Sequence, residues 1–257
     1  MTGRPEPAPT EPWWADGAFW DEMFEFVFPP EMIAAGEDVA ARAAALLGLP
    51  RGASVLDLGC GFGRVSLPLA RLGLRVTGVD AHRGFVDHGR EWARRERLDV
   101  DLREGDFSCA SFDGPFDAAV CLFNSFGYFA DPAQDRRVLD AAFAALQPGG
   151  RFLLECAHRD GVVRTMHVRE REGDGRRWRE EPRFDLVSGL LETRWSVTRA
   201  GETRTFTSRS RPYSATELDA MLRAAGFDPV RFMSGFDGAP PSLDDYMIVA
   251  LCERPGR

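Results

Sequence analysis

The sequence contains no lysine: all 32 basic residues among its 257 residues are arginine. We attribute this bias to a GC-rich genome. The 40 acidic residues give a net charge of −8, which disfavours broad binding to nucleic acid or to an anionic membrane. No apolar run approaches the roughly 20 residues that a membrane-spanning helix needs. The segment from Thr2 to Pro12 is rich in proline and lacks the apolar core of a signal peptide. We therefore expect a cytoplasmic protein that binds neither nucleic acid nor a membrane.

Cysteine and histidine are also scarce. The five cysteines are far apart and form no C-x-x-C pair, and the four histidines lack the spacing of metal ligands. These patterns disfavour a disulfide framework and a metal centre. We expect reduced, mostly buried cysteines and no bound metal.

Apolar residues are abundant and predict a large core. The hydrophobic share of 44% and the 19 phenylalanines are typical of a globular protein. Five strand-then-helix units predict a doubly wound α/β fold. We assign residues 1–12 to a disordered tail and residues 13–157 and 213–257 to this main domain. Residues 158–212 interrupt it with an alternating pattern that predicts an antiparallel insertion of three or four strands, one of them over Val162 to Arg169.

The segment around which the main domain is organised is a buried strand followed by a glycine turn and a helix. The strand runs from Ser54 to Leu58, and Gly59 and Gly61 allow a ligand to approach the backbone closely. The helix after the turn points unpaired N–H groups at the same space. A dinucleotide fingerprint, G-x-G-x-x-G, would need glycine where this chain has Arg64. The acid Asp57 would repel a pyrophosphate but attract the ammonium group of a zwitterionic ligand.

A second acid follows the next strand. Asp80 lies 21 residues beyond Gly59, close to the ~20 expected for an acid that binds ribose hydroxyls. The alternative is a loop carboxylate that caps the next helix. The strand, the spacing and the glycine turn together favour the ribose.

Four segments together resemble class I S-adenosylmethionine-dependent methyltransferases. They are Val55–Gly63 (VLDLGCGFG), Val79-Asp80, Gly105-Asp106-Phe107 and Leu146–Gly150 (LQPGG). The resemblance implies a Rossmann-like seven-stranded sheet with a final antiparallel hairpin, and S-adenosyl-L-methionine as the cofactor. In particular, it implies that Asp106 contacts the adenine amino group. The residues expected to bind the cofactor are Trp20, Asp57, Gly59, Gly61, Asp80, Ala81, Asp106, Phe107 and Phe123.

The acceptor is less defined. Segments Tyr213–Phe227 and Gly235–Val249 look like methyltransferases that act on small molecules of the natural-product or amino-sugar type. The loop after strand four reads Asn124-Ser125-Phe126 and departs from the Asn-Pro-Pro-aromatic signature of enzymes that methylate amines of nucleic acid bases or glutamine. We expect methyl transfer to an O, N or C nucleophile of a small molecule in secondary metabolism. The alternatives are a non-methylating reaction such as cyclisation, and a non-catalytic binding partner.

Two segments are candidate lids. Trp20, Phe24 and Val27/Phe28 form an aromatic stripe at helical spacing. The stripe either packs on the core or covers the cofactor, whose sulfonium would attract aromatic rings. The insertion 158–212 carries 13 arginines and 9 acids. Its charges either form a solvated surface or close the acceptor pocket. The insertion is also a candidate homodimer contact.

The catalytic candidates are His158, just beyond strand five, and Tyr128, in the loop after strand four. Imidazole is suited to take a proton near neutral pH. The alternative role for His158 is a hydrogen bond that ties the insertion to the sheet. Tyr128 would orient the acceptor or contact the methyl group.

Overall fold

A computed structural model describes residues 12–109, 112, 114–129 and 131–256. Apart from Pro12, the tail predicted over residues 1–12 lies outside the described residues. No helix in the described part of the chain is both long and apolar enough to cross a membrane.

The strands form two sheets. The larger has seven strands in the order β10-β11-β5-β4-β1-β2-β3, and the smaller has four in the order β6-β7-β8-β9. Strands β1 to β5 run parallel, whereas β11 is antiparallel to both β5 and β10. This arrangement confirms the predicted seven-stranded sheet with its final antiparallel hairpin. In chain order the strands are β1 (Ser54–Leu58), β2 (Arg75–Asp80), β3 (Val100–Glu104), β4 (Phe116–Cys121), β5 (Leu146–Ala157), β6 (Arg169–Gly173), β7 (Arg176–Asp185), β8 (Leu190–Arg199), β9 (Glu202–Ser210), β10 (Val230–Met233) and β11 (Met247–Glu253).

Helices cover both faces of the seven-stranded sheet. Leu56 and Leu58 of β1 belong to the core under α5 and α7, whereas Val55 belongs to the core under α2. This alternation follows from the two-residue period of a strand and confirms the doubly wound fold. The helices are α1 (Gly17–Val27), α2 (Pro30–Leu47), α3 (Ser66–Arg71), α4 (Arg83–Glu96), α5 (Pro132–Ala145), α6 (Arg159–Thr165) and α7 (Ala215–Ala225), preceded by a 3₁₀ helix at Trp13–Ala15.

The insertion begins with a helix, so the strand predicted over Val162 to Arg169 was wrong. Residues Arg159–Thr165 instead form α6. Val162 is fully buried and packs with Ala157 and Leu191. Tertiary packing of this side chain therefore outweighs the local β-propensity. The remainder of the insertion is the predicted antiparallel sheet, with four strands.

Helix α1 packs on the insertion sheet. Phe19, Trp20 and Met23 share one buried cluster with Trp178 and Val197. The indole Nε1 of Trp178 also donates to the carbonyl of Glu22 at 3.1 Å. The first helix and the insertion thus pack against each other, a link between the two predicted lids that the sequence did not indicate.

Candidate active site

The glycine turn after β1 is shaped by backbone conformations that favour glycine. Gly59 and Gly61 have φ angles of 75° and 55°, in the left-handed region. A Cβ on Gly59 would lie 2.5 Å from the Cβ of Ser125, whereas the space in front of Gly61 is open. The amide of Gly61 donates to Asp80 at 2.8 Å. The turn is therefore anchored on the end of β2 and faces an open space.

Asp57 is a buried carboxylate at the end of β1. Its side chain is 3% exposed and accepts a 2.5 Å hydrogen bond from the hydroxyl of Ser66 in α3. Burial raises the pKa of Asp57 to about 6, while the bond from Ser66 opposes the rise. At neutral pH the carboxylate is charged and suited to receive a cationic group.

Asp80 fixes the backbone around it. One oxygen accepts the N–H of Gly61 and the other accepts the N–H of His82, both at 2.8 Å. Burial raises the pKa of Asp80, and these two hydrogen bonds oppose the rise. Each carboxylate oxygen keeps a second lone pair for a ligand hydroxyl. Asp80 therefore holds the glycine turn in place and also faces the open space in front of that turn.

One cavity of about 920 Å³, counting its open mouth, lies at the carboxyl edge of the parallel strands. Ligands bind at this edge in open α/β sheets. Nine aromatic side chains line the cavity, and such rings attract a cation. The structure brings all nine predicted cofactor residues to its wall, namely Trp20, Asp57, Gly59, Gly61, Asp80, Ala81, Asp106, Phe107 and Phe123. Their roles in binding stay predictions.

Tyr128 also lines the cavity. Its ring lies 4.7 Å from that of Trp13, measured between centroids, and the Trp13 indole donates to the carbonyl of Arg209 in β9. Burial raises the pKa of Tyr128 well above its usual range. The hydroxyl stays protonated at neutral pH, so it can donate a hydrogen bond but is unsuited to take a proton.

His158 does not line this cavity. Its backbone N–H donates to the carbonyl of Tyr246 at 2.9 Å, and the residue forms a bridge with Tyr213. The ring is 5% exposed, and Nδ1 has no hydrogen-bond partner among the described residues. Nε2 lies 3.9 Å from Asp160. This placement favours the alternative role, in which His158 joins the insertion to the sheet.

Arg64 is a cavity residue whose role sequence reasoning missed. The guanidinium lies 3.4 Å from the ring centroid of Phe123, and the residue is 7% exposed. Burial lowers the pKa of Arg64 to about 10, so it remains charged. In the sequence, Arg64 served only to exclude a dinucleotide motif. The sequence did contain a signal for this role, because Arg64 lies between a strand and a helix that are both apolar and therefore buried.

The residues present fit S-adenosylmethionine. Asp57 suits its ammonium group, Asp80 its ribose hydroxyls and the aromatic wall its sulfonium. A buried cation, Arg64, lies on the same wall and suits a carboxylate. Among the described residues, no three His, Cys, Asp or Glu side chains gather closely enough to hold a metal ion.

The comparisons with known proteins agree with this geometry. Residues 55–150 match a family described as methyltransferase domain. The chain is 38% identical over 107 residues to the cypemycin N-terminal methyltransferase of Streptomyces sp, a match that covers 41% of this chain and 42% of that protein. It is 38% identical over 122 residues to the S-adenosyl-L-methionine-dependent Diels-Alderase iccD of Talaromyces variabilis, covering 42% and 37% respectively. The chain thus spans about two fifths of the length of these relatives.

The fold comparison covers much more of the chain. The CcbJ methyltransferase of Streptomyces caelestis superposes with a TM-score of 0.80 at 24% identity, covering 93% of this chain and 98% of that one. This likeness shows the fold across the main domain and the insertion. Together, the two comparisons show a methyltransferase domain over residues 55–150 in a chain that has the class I methyltransferase fold.

Proposed function

We propose that this protein transfers the methyl group of S-adenosylmethionine to an O, N or C nucleophile of a small molecule. The observation that carries the proposal is the convergence of Asp57, the glycine turn and Asp80 on one cavity lined by aromatic rings. The bound cofactor supplies an activated methyl group for direct displacement. We extend the proposal to an acceptor of the natural-product or amino-sugar class in secondary metabolism, and the similarity to the cypemycin enzyme named above supports the natural-product part.

The contribution of the protein is orientation and charge. Holding donor and acceptor in line is worth on the order of 7–11 kcal/mol. Asp57 would hold the amino-acid end of the cofactor and Asp80 its ribose, and Tyr128 would orient the acceptor through its protonated hydroxyl. The protein would thus need no base when the acceptor presents a free lone pair, as a neutral amine does.

We further propose that the cover made by α1 and the insertion closes the acceptor pocket. Trp14 and Trp20 line the cavity, and the indole of Trp20 donates to the carbonyl of Trp14 at 2.9 Å. The insertion sheet holds α1 in place through Trp178. Acceptor specificity would therefore depend on the cover, and cofactor specificity on the edge of the large sheet. A homodimer contact through residues 158–212 stays a prediction.

A cytoplasmic location and the lack of a nucleic-acid partner are also proposals. The net charge of −8 supports the second. The cysteines are free thiols, four of them buried, which agrees with a reducing compartment.

The proposal is tested by binding and by turnover. Calorimetry should show binding of S-adenosylmethionine and no tight binding of NAD. A panel of amines, phenols and sugar derivatives with methyl-labelled cofactor should then give a labelled product and an equal amount of S-adenosylhomocysteine. Tight binding of NAD, or no affinity for S-adenosylmethionine, would overturn the proposal.

A second candidate is a non-methylating reaction with bound S-adenosylmethionine. The similarity to the Diels-Alderase named above favours it. The same assay separates the two functions, because a converted substrate without label and without S-adenosylhomocysteine would indicate the second. A protein that binds the cofactor but changes no substrate would be a binding partner.

A further inference from the structure

Two consecutive non-glycine residues next to the cavity have left-handed backbones. Phe123 and Asn124 lie just beyond β4, which ends at Cys121, and have φ angles of 54° and 62°. Side-chain-bearing residues adopt this conformation rarely and at a cost in free energy. Such a turn persists only when its surroundings hold it, and its location at a candidate site suggests a function.

Strand β5 holds this turn. The N–H of Phe123 donates to Glu155 Oε2 at 2.8 Å, and Asn124 Oδ1 accepts the N–H of Ala157 at 2.9 Å. Glu155 is 9% exposed, and burial raises its pKa while the N–H of Phe123 and the charge of Arg64 oppose the rise. Burying a carboxylate costs folding free energy unless the group is hydrogen-bonded or paired with a charge. Here its hydrogen bond fixes the backbone that carries the Phe123 ring.

The Phe123 ring in turn supports Arg64. The guanidinium lies over the ring at 3.4 Å from its centroid. Stacking leaves the N–H donors in the guanidinium plane available to a ligand. Among the described residues, the Met32 carbonyl accepts from Nη1 at 3.3 Å. Both Arg64 and Phe123 line the cavity, whereas Glu155 does not.

The charges around the cavity define what Arg64 can bind. Asp57, Asp80 and Asp106 line it as well, and they would repel an anionic group. Arg64 is a buried cation on that wall, and electrostatic coupling to Glu155 and, to a smaller extent, to Asp57 raises its pKa against burial. Adjacent opposite charges match a ligand that carries an ammonium and a carboxylate on one carbon.

We infer that Glu155 is a positioning residue that acts through Phe123 to present Arg64 to the carboxylate of the cofactor's amino-acid end. The inference rests on the proposed function, because it takes S-adenosylmethionine as the ligand. Glu155 acts through its hydrogen bond to the turn and not through its charge, since its negative charge alone would weaken the attraction between Arg64 and a carboxylate.

The test compares S-adenosylmethionine with decarboxylated S-adenosylmethionine, which keeps the ammonium and the sulfonium but lacks the carboxylate. Calorimetry should show that the wild-type protein prefers the first ligand by about tenfold or more, the scale of a charge-assisted hydrogen bond. Arg64→Met should abolish this preference by weakening the first ligand alone. Glu155→Ala should reduce the preference by about tenfold, because the turn is no longer held.

Conservative variants separate the hydrogen bond from the charge. Glu155→Gln keeps an acceptor for the N–H of Phe123 and should restore the preference to within about twofold. Glu155→Asp keeps the charge, but its side chain is too short to reach the N–H of Phe123, so it should behave like Glu155→Ala. It replaces Glu155→Ala in the test if that variant does not fold. The matched control is Glu253→Ala on neighbouring β11, where the carboxylate pairs with Arg151 at 3.4 Å; it should change neither affinity.

Three results would overturn the inference. They are equal affinity of the wild-type protein for the two ligands, equal losses for both ligands in Glu155→Ala, and failure of folded Glu155→Gln to restore the preference. The proposed function survives all three, because each presupposes binding of S-adenosylmethionine. If the wild-type protein bound neither ligand, the proposed function and the inference would both be wrong.

Discussion

The hydroxyl of Ser66 donates a 2.5 Å hydrogen bond to the carboxylate of Asp57, which joins the first turn of α3 to the end of β1. Neither residue is accessible to bulk water, since Asp57 is 3% exposed and Ser66 is fully buried. The bond lowers the pKa of Asp57, but burial dominates and leaves it at about 6. The charged form of Asp57 therefore lowers the stability of the folded protein. This loss of stability is explained if the carboxylate binds a cationic group of a ligand.

The first prediction is that Asp57→Asn stabilises the ligand-free protein at neutral pH. The folded-state pKa of about 6 exceeds the ordinary aspartate value of 3.8, so the folded protein binds the proton more tightly than the unfolded chain. Stability from this group is present below pH ~4 and is lost as the pH rises to about 6, by at most about 3 kcal/mol. Asparagine keeps an acceptor for Ser66 and carries no charge. Thermal unfolding from pH 4 to 7 should show the gain of the variant growing with pH.

The control for this prediction is Asp117→Asn. Hydrogen bonds from the N–H and hydroxyl of Ser54 lower the pKa of Asp117, so its effect on stability has the opposite sign and this variant should be less stable at neutral pH. Asp57→Asn should also lose affinity for S-adenosylmethionine. A variant that is no more stable than the wild-type protein at pH 7, or that binds the cofactor equally well, would contradict this assignment of Asp57.

The second prediction concerns Asp80→Ala, which should weaken S-adenosylmethionine binding by about 10- to 100-fold. This range corresponds to the ~1.5–3 kcal/mol of hydrogen bonds to a charged group. The variant also releases the N–H groups of Gly61 and His82, so part of the loss reflects a looser turn. Asp101→Ala, an exposed residue of β3 paired with Arg103, is the matched control and should leave the affinity unchanged. Calorimetry measures both, and equal affinities in the two variants would remove Asp80 from the site.

The parts of the site that sequence reasoning found share one property, which is that they are contiguous. The Asp57 strand, the glycine turn and the Asp80 strand are each complete within a few residues, so their local sequence and spacing, together with the family resemblance, predicted them. Arg64 was missed because its burial depends on Phe28 and Phe123, which lie over the guanidinium from distant segments. The helix at Val162 was missed for the same reason, since a tertiary contact with Leu191 decides its conformation. His158 follows the end of β5, as the sequence indicated, but it does not line the cavity.

The third prediction concerns the cover. Trp14→Ala should weaken binding of S-adenosylmethionine or the acceptor with little loss of stability, because Trp14 lines the cavity and is only half-buried. The backbone carbonyl that accepts from Trp20 is kept, so α1 should stay in place. Trp178→Ala is the contrasting variant: its ring is 3% exposed, and its loss should cost roughly 3–5 kcal/mol. Chemical denaturation and calorimetry on both variants separate the two effects. Unchanged binding of both ligands in Trp14→Ala would mean that Trp14 only packs on the core.

The fourth prediction separates the two catalytic candidates in single-turnover kinetics with an acceptor found in the panel. Tyr128→Phe should slow methyl transfer by about tenfold, because it removes the hydroxyl that orients the acceptor, and the affinity for S-adenosylmethionine should not change. His158→Ala should leave the rate within about twofold of the wild-type rate, because the ring lies outside the cavity.

His158→Ala should instead lower stability by roughly 1–3 kcal/mol, because the buried ring packs against α6. A Cβ built on Gly161 of that helix would lie 3.4 Å from Nδ1 of His158. His158→Gln, which keeps a polar group of similar reach, is the control for lost volume and should recover part of that stability. A large fall in the transfer rate of both His158 variants, with stability and cofactor affinity unchanged, would restore His158 as the base. An unchanged rate in Tyr128→Phe would mean that the Tyr128 hydroxyl does not orient the acceptor. Turnover would then depend on orientation by the cofactor-binding residues and the cover.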